Sequence, residues 1–353
     1  MAGSRRVTVR DIASKAGVSP ATVSAALRTE TDDSSIGAET RERVLEIANR
    51  LGYDYSRLRP RNRRTRAVAL FMPGVVPPNV SMLYHALLGL SQRLSQHGLR
   101  VLLECGHEQS GDPEAGRDIF TRGEAEAAIG YAVGEQWATQ MAQWGVPSVY
   151  IGPTDPEAPV CSVNVDDALG GRAVAEHLWS LGHRNVGIVH MFRSEWGEAR
   201  ASGIRSVWER FGRSIPPARV QLLTPGTGRS DGAQIEENVD GVVRALLAGD
   251  GNGAESVTAI FCDADWVASR ALRSVRSLGL RVPEDVSVVG FDDAHFAPVL
   301  DPPLTTVRQP VREICALAIE LLLEQLSVGE PIVRSYSLPC ELVVRNTTGP
   351  VKN

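Results

Sequence analysis

The 21 residues from Val7 to Leu27, VTVRDIASKAGVSPATVSAAL, combine capping hydroxyls, small apolar residues and nearby arginines, the types that place a short helix against a polyanion. Thr8 can N-cap a first helix, with Asp11 three residues on completing a capping-box pair. Ile12, Ala13 and Ala16 supply that helix's inward face. Gly17 stands where the chain must turn left-handed, which a residue without Cβ does at no steric cost. Ser19 is then a second N-cap and Pro20 an N1 proline, so a new helix starts at once. Val23 and Leu27 face back onto the first helix and leave Pro20, Ala21, Ser24, Ala25 and Arg28 outward. Hydroxyls (Thr8, Ser19, Thr22, Ser24) and Arg28 suit phosphates, and methyls suit thymine, as in a helix docked in a DNA groove. A helical hairpin buried in a core is the competing reading. Pro and Ala on an outward face beside arginines favour docking.

Other chemistry finds little support in the spacing. No nucleophile–base set or phosphate loop stands out, so neither catalytic residues nor a cofactor is expected. The five cysteines, Cys105, Cys161, Cys262, Cys315 and Cys340, are odd in number, scattered and without a CxxC pair. That favours reduced core thiols over disulfides or a zinc site. Cys105-Gly106-His107 offers two ligands without partners, so no metal is expected.

The elements that would position these residues follow from composition and periodicity. At 353 residues and 43% hydrophobic, the chain is long enough for two or three domains with a real core. Residues 1–66 hold 14 Lys/Arg against 8 Asp/Glu, a net of +6, while the remainder holds 23 against 34, a net of −11. A basic head on an acidic body suits a polyanion-binding module joined to something that must not adhere to DNA. Residues 1–55 read as a small helical domain whose third helix runs from Ala38 to Leu51. Residues 56–66, SRLRPRNRRTR, form a linker with six arginines, Arg57, Arg59, Arg61, Arg63, Arg64 and Arg66. From Ala67 the pattern becomes apolar strands alternating with amphipathic helices. Strands are expected at AVALFM, LRVLLE, AAIGYA, PSVYIG, NVGIVHM, TAIFC and VSVVGF. Helices are expected at Ser81–His97, Ala168–Leu181, Ala199–Phe211, Asp265–Leu278 and Val311–Leu326. This alternation predicts right-handed βαβ units and parallel sheets covered on both faces. No membrane-length apolar run or signal peptide is read, so the expected location is the cytoplasm, with nucleoid association through DNA.

Several motifs carry a resemblance. The helix-turn-helix segment is followed by Thr40-Arg41-Glu42-Arg43-Val44-Leu45 and Leu51-Gly52-Tyr53, then by His177-Leu178 and Leu181-Gly182-His183-Arg184. Val282-Pro283-Glu284-Asp285-Val286-Ser287-Val288-Val289-Gly290-Phe291-Asp292-Asp293 and Pro303-Leu304-Thr305-Thr306-Val307-Arg308-Gln309-Pro310 complete the set. In order and spacing the chain resembles the lactose-repressor (LacI/GalR) family of bacterial transcription regulators from Val7 to about Thr347. The resemblance implies a multidomain chain: an all-α helix-turn-helix head and an α/β, two-lobed, periplasmic-binding-protein-like core with parallel sheets at 67–347. The N-lobe is then expected at about 67–163 and 293–326 and the C-lobe at about 164–292 and 327–347, with crossings near 163–166, 292–296 and 326–332 and a tail at 348–353. No leucine-heptad tail for tetramerisation is read.

In that family bases are read from the positions that fall here on Pro20, Ala21 and Ala25. All three are apolar, so thymine methyl contact remains, with Thr22, Ser24 and Arg28 for phosphates or neighbouring edges. Relatives usually carry a hinge helix whose leucine wedges into the minor groove. Here Pro60 interrupts the stretch, so no regular hinge helix is expected; Leu58 is the available wedge, and Arg57, Arg59 and Arg61 suit a narrow minor groove, with a flexible basic tether giving nonspecific attraction as the competing reading. The loop from Arg28 to Ile36 is longer than usual and carries Glu30, Asp32 and Asp33, so it is expected to point away from the duplex.

For an effector between the lobes, the resemblance implies Arg200, Asp265 and Asp292 as contacts; the competing reading is that Arg200 and the aspartates simply pair across the lobes. Ala264 replaces the usual Asn, and Gly226 to Asp231 lacks the aromatic often stacked on ligand; Phe192 and Trp196 are candidates to replace it. The implied function is a homodimeric DNA-binding regulator, a repressor, on a pseudo-palindromic double-stranded operator and controlled by a sugar-like metabolite. The same regulator without a sugar effector is the alternative; a transport protein or an enzyme fits less well.

Overall fold

The computed structural model of the protein describes residues 7–27, 37–51, 53, 65–73, 81–106, 116–133, 135–154, 158–224, 232–248, 256–329 and 331–352. Arg28, the acidic loop after it, and the linker residues Arg57, Leu58, Arg59 and Arg61 lie outside the described residues, as does the side chain of Ala25.

Three helices form the head: α1 (Val9–Ala16), α2 (Pro20–Ala26) and α3 (Ala38–Leu51). Thr8 and Asp11 make the full capping box, the Thr8 amide donating to Asp11 Oδ2 at 2.7 Å and the Asp11 amide to Thr8 Oγ1 at 3.3 Å. Gly17 ends α1 with φ 66°. Ser19 Oγ accepts the Thr22 amide at 3.0 Å, which starts α2. Ile12, Val23, Val44 and Ala48 are buried between the three helices, so one small core fixes the angle of α2.

The core has two parallel sheets. The first has the order β11-β5-β4-β3-β1-β2, with β1 (Ala67–Met72), β2 (Arg100–Cys105), β3 (Ala127–Tyr131), β4 (Ser148–Ile151), β5 (Cys161–Val165) and β11 (Ser335–Leu338). Its strand β1, next to the edge strand β2, is buried throughout: Val68, Leu70 and Met72 face α4 (Ser81–Gln96) and α11 (Val311–Val328), while Ala69 and Phe71 face α5 (Arg117–Thr121) and α6 (Glu135–Trp144). Side chains of period two feeding two cores are what a doubly covered strand requires. The second sheet has the order β7-β6-β8-β9, with β6 (Val186–Phe192), β7 (Val220–Thr224), β8 (Ala259–Cys262) and β9 (Ser287–Val289). One face packs on α7 (Asp167–Ser180) and α8 (Glu195–Arg210), the other on α9 (Gly232–Ala248) and α10 (Asp265–Ser277). The antiparallel pair β10 (Thr306–Arg308) and β12 (Glu341–Val343) continues this sheet, because Thr305 and Arg308 bridge to Val289 and Asp292. Among the described residues no helix is long and apolar enough to cross a membrane.

The first crossing between lobes falls at Asp166, which caps α7 through the Leu169 amide at 2.7 Å. The other two differ from expectation. After Asp292 the chain stays in the second lobe through β10 and crosses at 309–310, not at 292–296. The third crossing follows β11, which pairs with β5 in the first sheet, so it lies at 339–340 rather than 326–332. Residues 293–308 therefore belong to the second lobe and 327–338 to the first. The reason is non-local: β10 and β11 gain their ladders from strands far away in sequence.

α7 and α8 cross at glycines. A Cβ on Gly171 would collide with the Arg200 carbonyl, and one on Gly203 with the Ala168 carbonyl. This approach presses Arg200 of α8 against Asp167 of α7.

At the opposite end of the second sheet, His183 ties the last residues to the core. Its Nδ1 meets Thr258 Oγ1 at 2.9 Å, and its Nε2 meets Ser287 Oγ at 3.0 Å and the Gly349 carbonyl at 3.1 Å. Burial lowers its pKa to about 4 and lowers that of nearby His177. A folded-state pKa below the unfolded value of about 6.5 means the unfolded chain takes the proton first. The contribution is thus present above pH 6.5 and lost between pH 6.5 and about 4. In urea melts, wild type is expected to lose more stability than His183→Gln between pH 7.5 and 5; equal losses would contradict this role.

Candidate DNA reader and effector cleft

The candidate reader surface is α2. Ser19, Pro20 and Ala21 are exposed on its first turn, while Thr22 and Ser24 are half-buried. The Thr22 hydroxyl lies 2.8 Å from Ser19 Oγ, so it is engaged in the cap. The exposed tip is therefore methyl and methylene, with backbone and cap hydroxyls at its start. It can meet thymine methyls and phosphates, but Pro20 and Ala21 have no side-chain hydrogen bond to give.

The cleft lies where strands of both lobes end. The carboxyl ends of parallel strands are where open α/β sheets bind ligands. Arg200, in the second turn of α8, is only 6% exposed. Its Nε donates to Asp167 Oδ1 at 2.7 Å, its Nη1 to the Asp263 carbonyl at 2.5 Å, and its guanidinium lies 3.6 Å over the Phe291 ring. Burial opposes its charge, but Asp167, Asp292 and Asp263 together raise its pKa. Burial in turn pushes the Asp167 carboxyl up despite the guanidinium beside it.

Asp292 follows β9 with φ 124°, a left-handed backbone that non-glycine residues rarely adopt, and Asp293 follows with φ 52°. Its Oδ1 accepts Gln309 Nε2 at 2.7 Å and its amide donates to the Val307 carbonyl at 2.8 Å. Tyr131, last residue of β3, faces it from the other lobe. Burial and the Asp292 carboxylate push the Tyr131 phenol well above its ordinary range, and Arg200 pulls the other way. Asp292, Arg200 and Tyr131 thus share one electrostatic environment contributed by both lobes.

Asp265 does not join them. It is fully buried; its Oδ2 accepts the Ala294 amide at 2.7 Å and its Oδ1 accepts the Thr306 hydroxyl. Burial and the Asp292 charge push its carboxyl well above the usual range. With a partner on each oxygen it staples α10 to the segment after β9. Phe192 and Trp196 are half-buried and meet edge to face at 5.8 Å, at the end of β6 and the first turn of α8. They pack on each other beside the cleft; Ala264 caps α10 without a side-chain bond.

Three residues escape sequence reasoning. Asp263 holds the Met191 amide at 3.0 Å and His190 Nδ1 at 3.2 Å, and among the described residues His190 Nε2 has no hydrogen-bond partner. Tyr131 is the third, with only its place at a strand end as a signal. Among the described residues no group of His, Cys, Asp or Glu is arranged to hold a metal.

A profile described as bacterial regulatory proteins, lacI family, matches residues 8–56, and one described as a periplasmic binding protein-like domain matches 175–348. The transcriptional regulator MalR of Streptomyces coelicolor is 32% identical over 96% of this chain and 95% of its own. The chain belongs to the LacI family of bacterial regulators. The repressor CytR of Escherichia coli is 28% identical over 97% of this chain and 96% of its own. A solved complex of the transcriptional regulator CelR with cellobiose is 28% identical, with a TM-score of 0.67 over 97% of this chain and all of that one. This LacI-family chain therefore joins a helix-turn-helix DNA-binding domain to a periplasmic-binding-protein-like core.

Replacing Arg200 by Met leaves the buried Asp167 carboxylate without its partner. Removing one member of such a pair costs about 3–5 kcal/mol. Urea denaturation is expected to show a loss of that order, with a good part regained in the Arg200→Met/Asp167→Asn double variant. If the single change costs nothing, the pair does not hold the cleft floor.

Proposed function

We propose that this protein is a cytoplasmic transcriptional repressor that binds a pseudo-palindromic operator as a homodimer and responds to a neutral, hydroxyl-rich small molecule in the cleft. One reader helix per chain supports a two-fold dimer, since paired readers one helical turn apart gain affinity and register. Leu88 on α4 and Leu103 on the adjoining edge strand β2 are 39% and 47% exposed, apolar area suited to a second copy. The name of CytR supports repression and the CelR–cellobiose complex supports a sugar.

The observation that carries the effector class is the charge around Arg200. Its Nε and Nη1 are already taken within the second lobe, and Asp167, Asp263 and Asp292 surround its single positive charge. A phosphate or carboxylate would meet excess negative charge, whereas a polyol donates to Asp292 and stacks by Trp196. Thermal-shift titration with cellobiose, ribose, glucose, glucosamine and glucose 6-phosphate tests this. A neutral or amino sugar is expected to raise Tm, glucose 6-phosphate not, and Asp292→Asn to lose the response. A larger rise with the phosphate would overturn the class. No rise with any of them would favour the effector-blind variant, which Ala264 and the engaged guanidinium make specific.

For DNA, the apolar tip of α2 leaves sequence choice to groove shape and the linker arginines. Each Lys or Arg that neutralises a phosphate adds about −0.9 to the slope of log K against log salt. Changing Arg57, Arg59 and Arg61 together to Ala removes two sets of three arginines from the dimer and is expected to flatten that slope by about 5, measured on a duplex selected from a randomised pool. An unchanged slope would remove the linker from the interface, and absence of any selected duplex would remove the DNA-binding reading itself.

A further inference from the structure

Asp292 sits in the second lobe, but its side chain holds the connection that leaves it. Gln309 occupies the 309–310 crossing and donates Nε2 to Asp292 Oδ1 at 2.7 Å. The neighbouring residue repeats the arrangement: Asp293 Oδ2 accepts Arg308 Nε at 2.7 Å and its Oδ1 accepts Arg345 Nη2 at 2.6 Å. Both acids have positive φ, 124° and 52°, a conformation that persists only where the surroundings over-determine it.

Directly after the crossing, α11 begins at Val311. Its cap residue, Pro310, offers no side-chain hydrogen bond, so the first turn rests on the Ile314 amide to the Pro310 carbonyl at 2.9 Å and on whatever fixes the residues upstream. One turn on, Ile314 and Cys315 are buried in the first lobe. Cys315 Sγ reaches the Ala86 carbonyl of α4 at 3.8 Å and would touch a Cβ on Gly89. α4 belongs to the βαβ unit opened by β1, the strand the basic linker enters. A contiguous set of contacts therefore runs from the cleft carboxylate through Gln309 and the first turn of α11 to α4.

We propose that Gln309 is a positioning residue that makes the Asp292 carboxylate and the first turn of α11 one unit. What engages Asp292 in the cleft thereby reaches the lobe joined to the DNA head. Gln309 also fixes the carboxylate rotamer. The regulatory part rests on the proposed effector reading, but the unit itself requires neither ligand nor DNA, so the two can fail separately.

The test is hydrogen exchange by mass spectrometry on the full chain, without ligand, over peptides covering 311–318. Gln309→Glu, nearly isosteric, sets carboxylate against carboxylate, and Asp292→Ala removes the acceptor. Each is expected to speed exchange there at least fivefold. Asp292→Asn keeps an acceptor oxygen and is expected to stay within twofold of wild type. The double variant Asp292→Asn/Gln309→Glu restores the bond with donor and acceptor exchanged, and is expected to return to within twofold of wild type. Unchanged exchange in Asp292→Ala, or failure of the exchanged pair to recover while circular dichroism shows it folded, would overturn the proposal. If the exchanged pair does not fold, Asp292→Ala against Asp292→Asn decides the matter alone.

Discussion

A guanidinium buried as deeply as Arg200 needs both counter-charge and hydrogen bonds, and this fold draws them from separate elements. Asp167 comes from the first turn of α7, the Asp263 carbonyl from the end of β8, and the Phe291 ring from the end of β9. None of these can move independently once the cation is seated, because an unpaired charge in that environment is costly. The α7–α8 crossing, possible only where Gly171 and Gly203 let backbones approach, puts Arg200 within reach of Asp167. The packing of two helices thus sets the electrostatics of the cleft floor, and the residues lining the cleft inherit their positions from that pair.

The cleft divides its acids by duty. Asp167 gives Oδ1 to a guanidinium, while Asp263 and Asp265 bond through both oxygens inside the protein, to a backbone amide with an imidazole and to an amide with a hydroxyl. Asp292 differs in sitting next to the opposite lobe's Tyr131 and in being tied to a crossing segment. Four aspartates that look alike in sequence therefore separate by what satisfies their lone pairs. A carboxylate with both oxygens engaged internally is part of the scaffold.

Much of the head was legible because its determinants are local. The Thr8–Asp11 box, Gly17 and Ser19-Pro20 each act within one turn, and the helices formed as those residues dictate. The helices α7, α10 and α11 and the buried strands β1, β6 and β8 were legible for the same reason, through periodicity and caps. β5 (CSVNV) mixes polar with apolar residues, and β10, β11 and β12 are three or four residues long, so pairing with distant strands defines them. That is why two crossings were misplaced. In the cleft, motif resemblance singled out Arg200, Asp265 and Asp292, but only the folded chain reveals that Asp167 and the Asp263 carbonyl hold Arg200 and that Thr306 and Ala294 bind the Asp265 oxygens. Tyr131 and Asp263 acquire their roles from juxtapositions more than sixty residues apart, and Gln309 from a contact across a crossing, which no local pattern encodes.

The placement of β11 bears on synthesis. Five of the six strands in the lobe beside the DNA head emerge within the first half of the chain, but the sixth, at Ser335–Leu338, leaves the ribosome almost last. Until then β5 offers an open edge, and the helix that covers one face of that sheet, α11, is also still to come. The lobe nearest the N-terminus is therefore completed only after the other has been nearly fully translated. The two lobes must mature together, so a ribosome that stalls late leaves the regulator with its DNA reader formed and its first lobe unfinished.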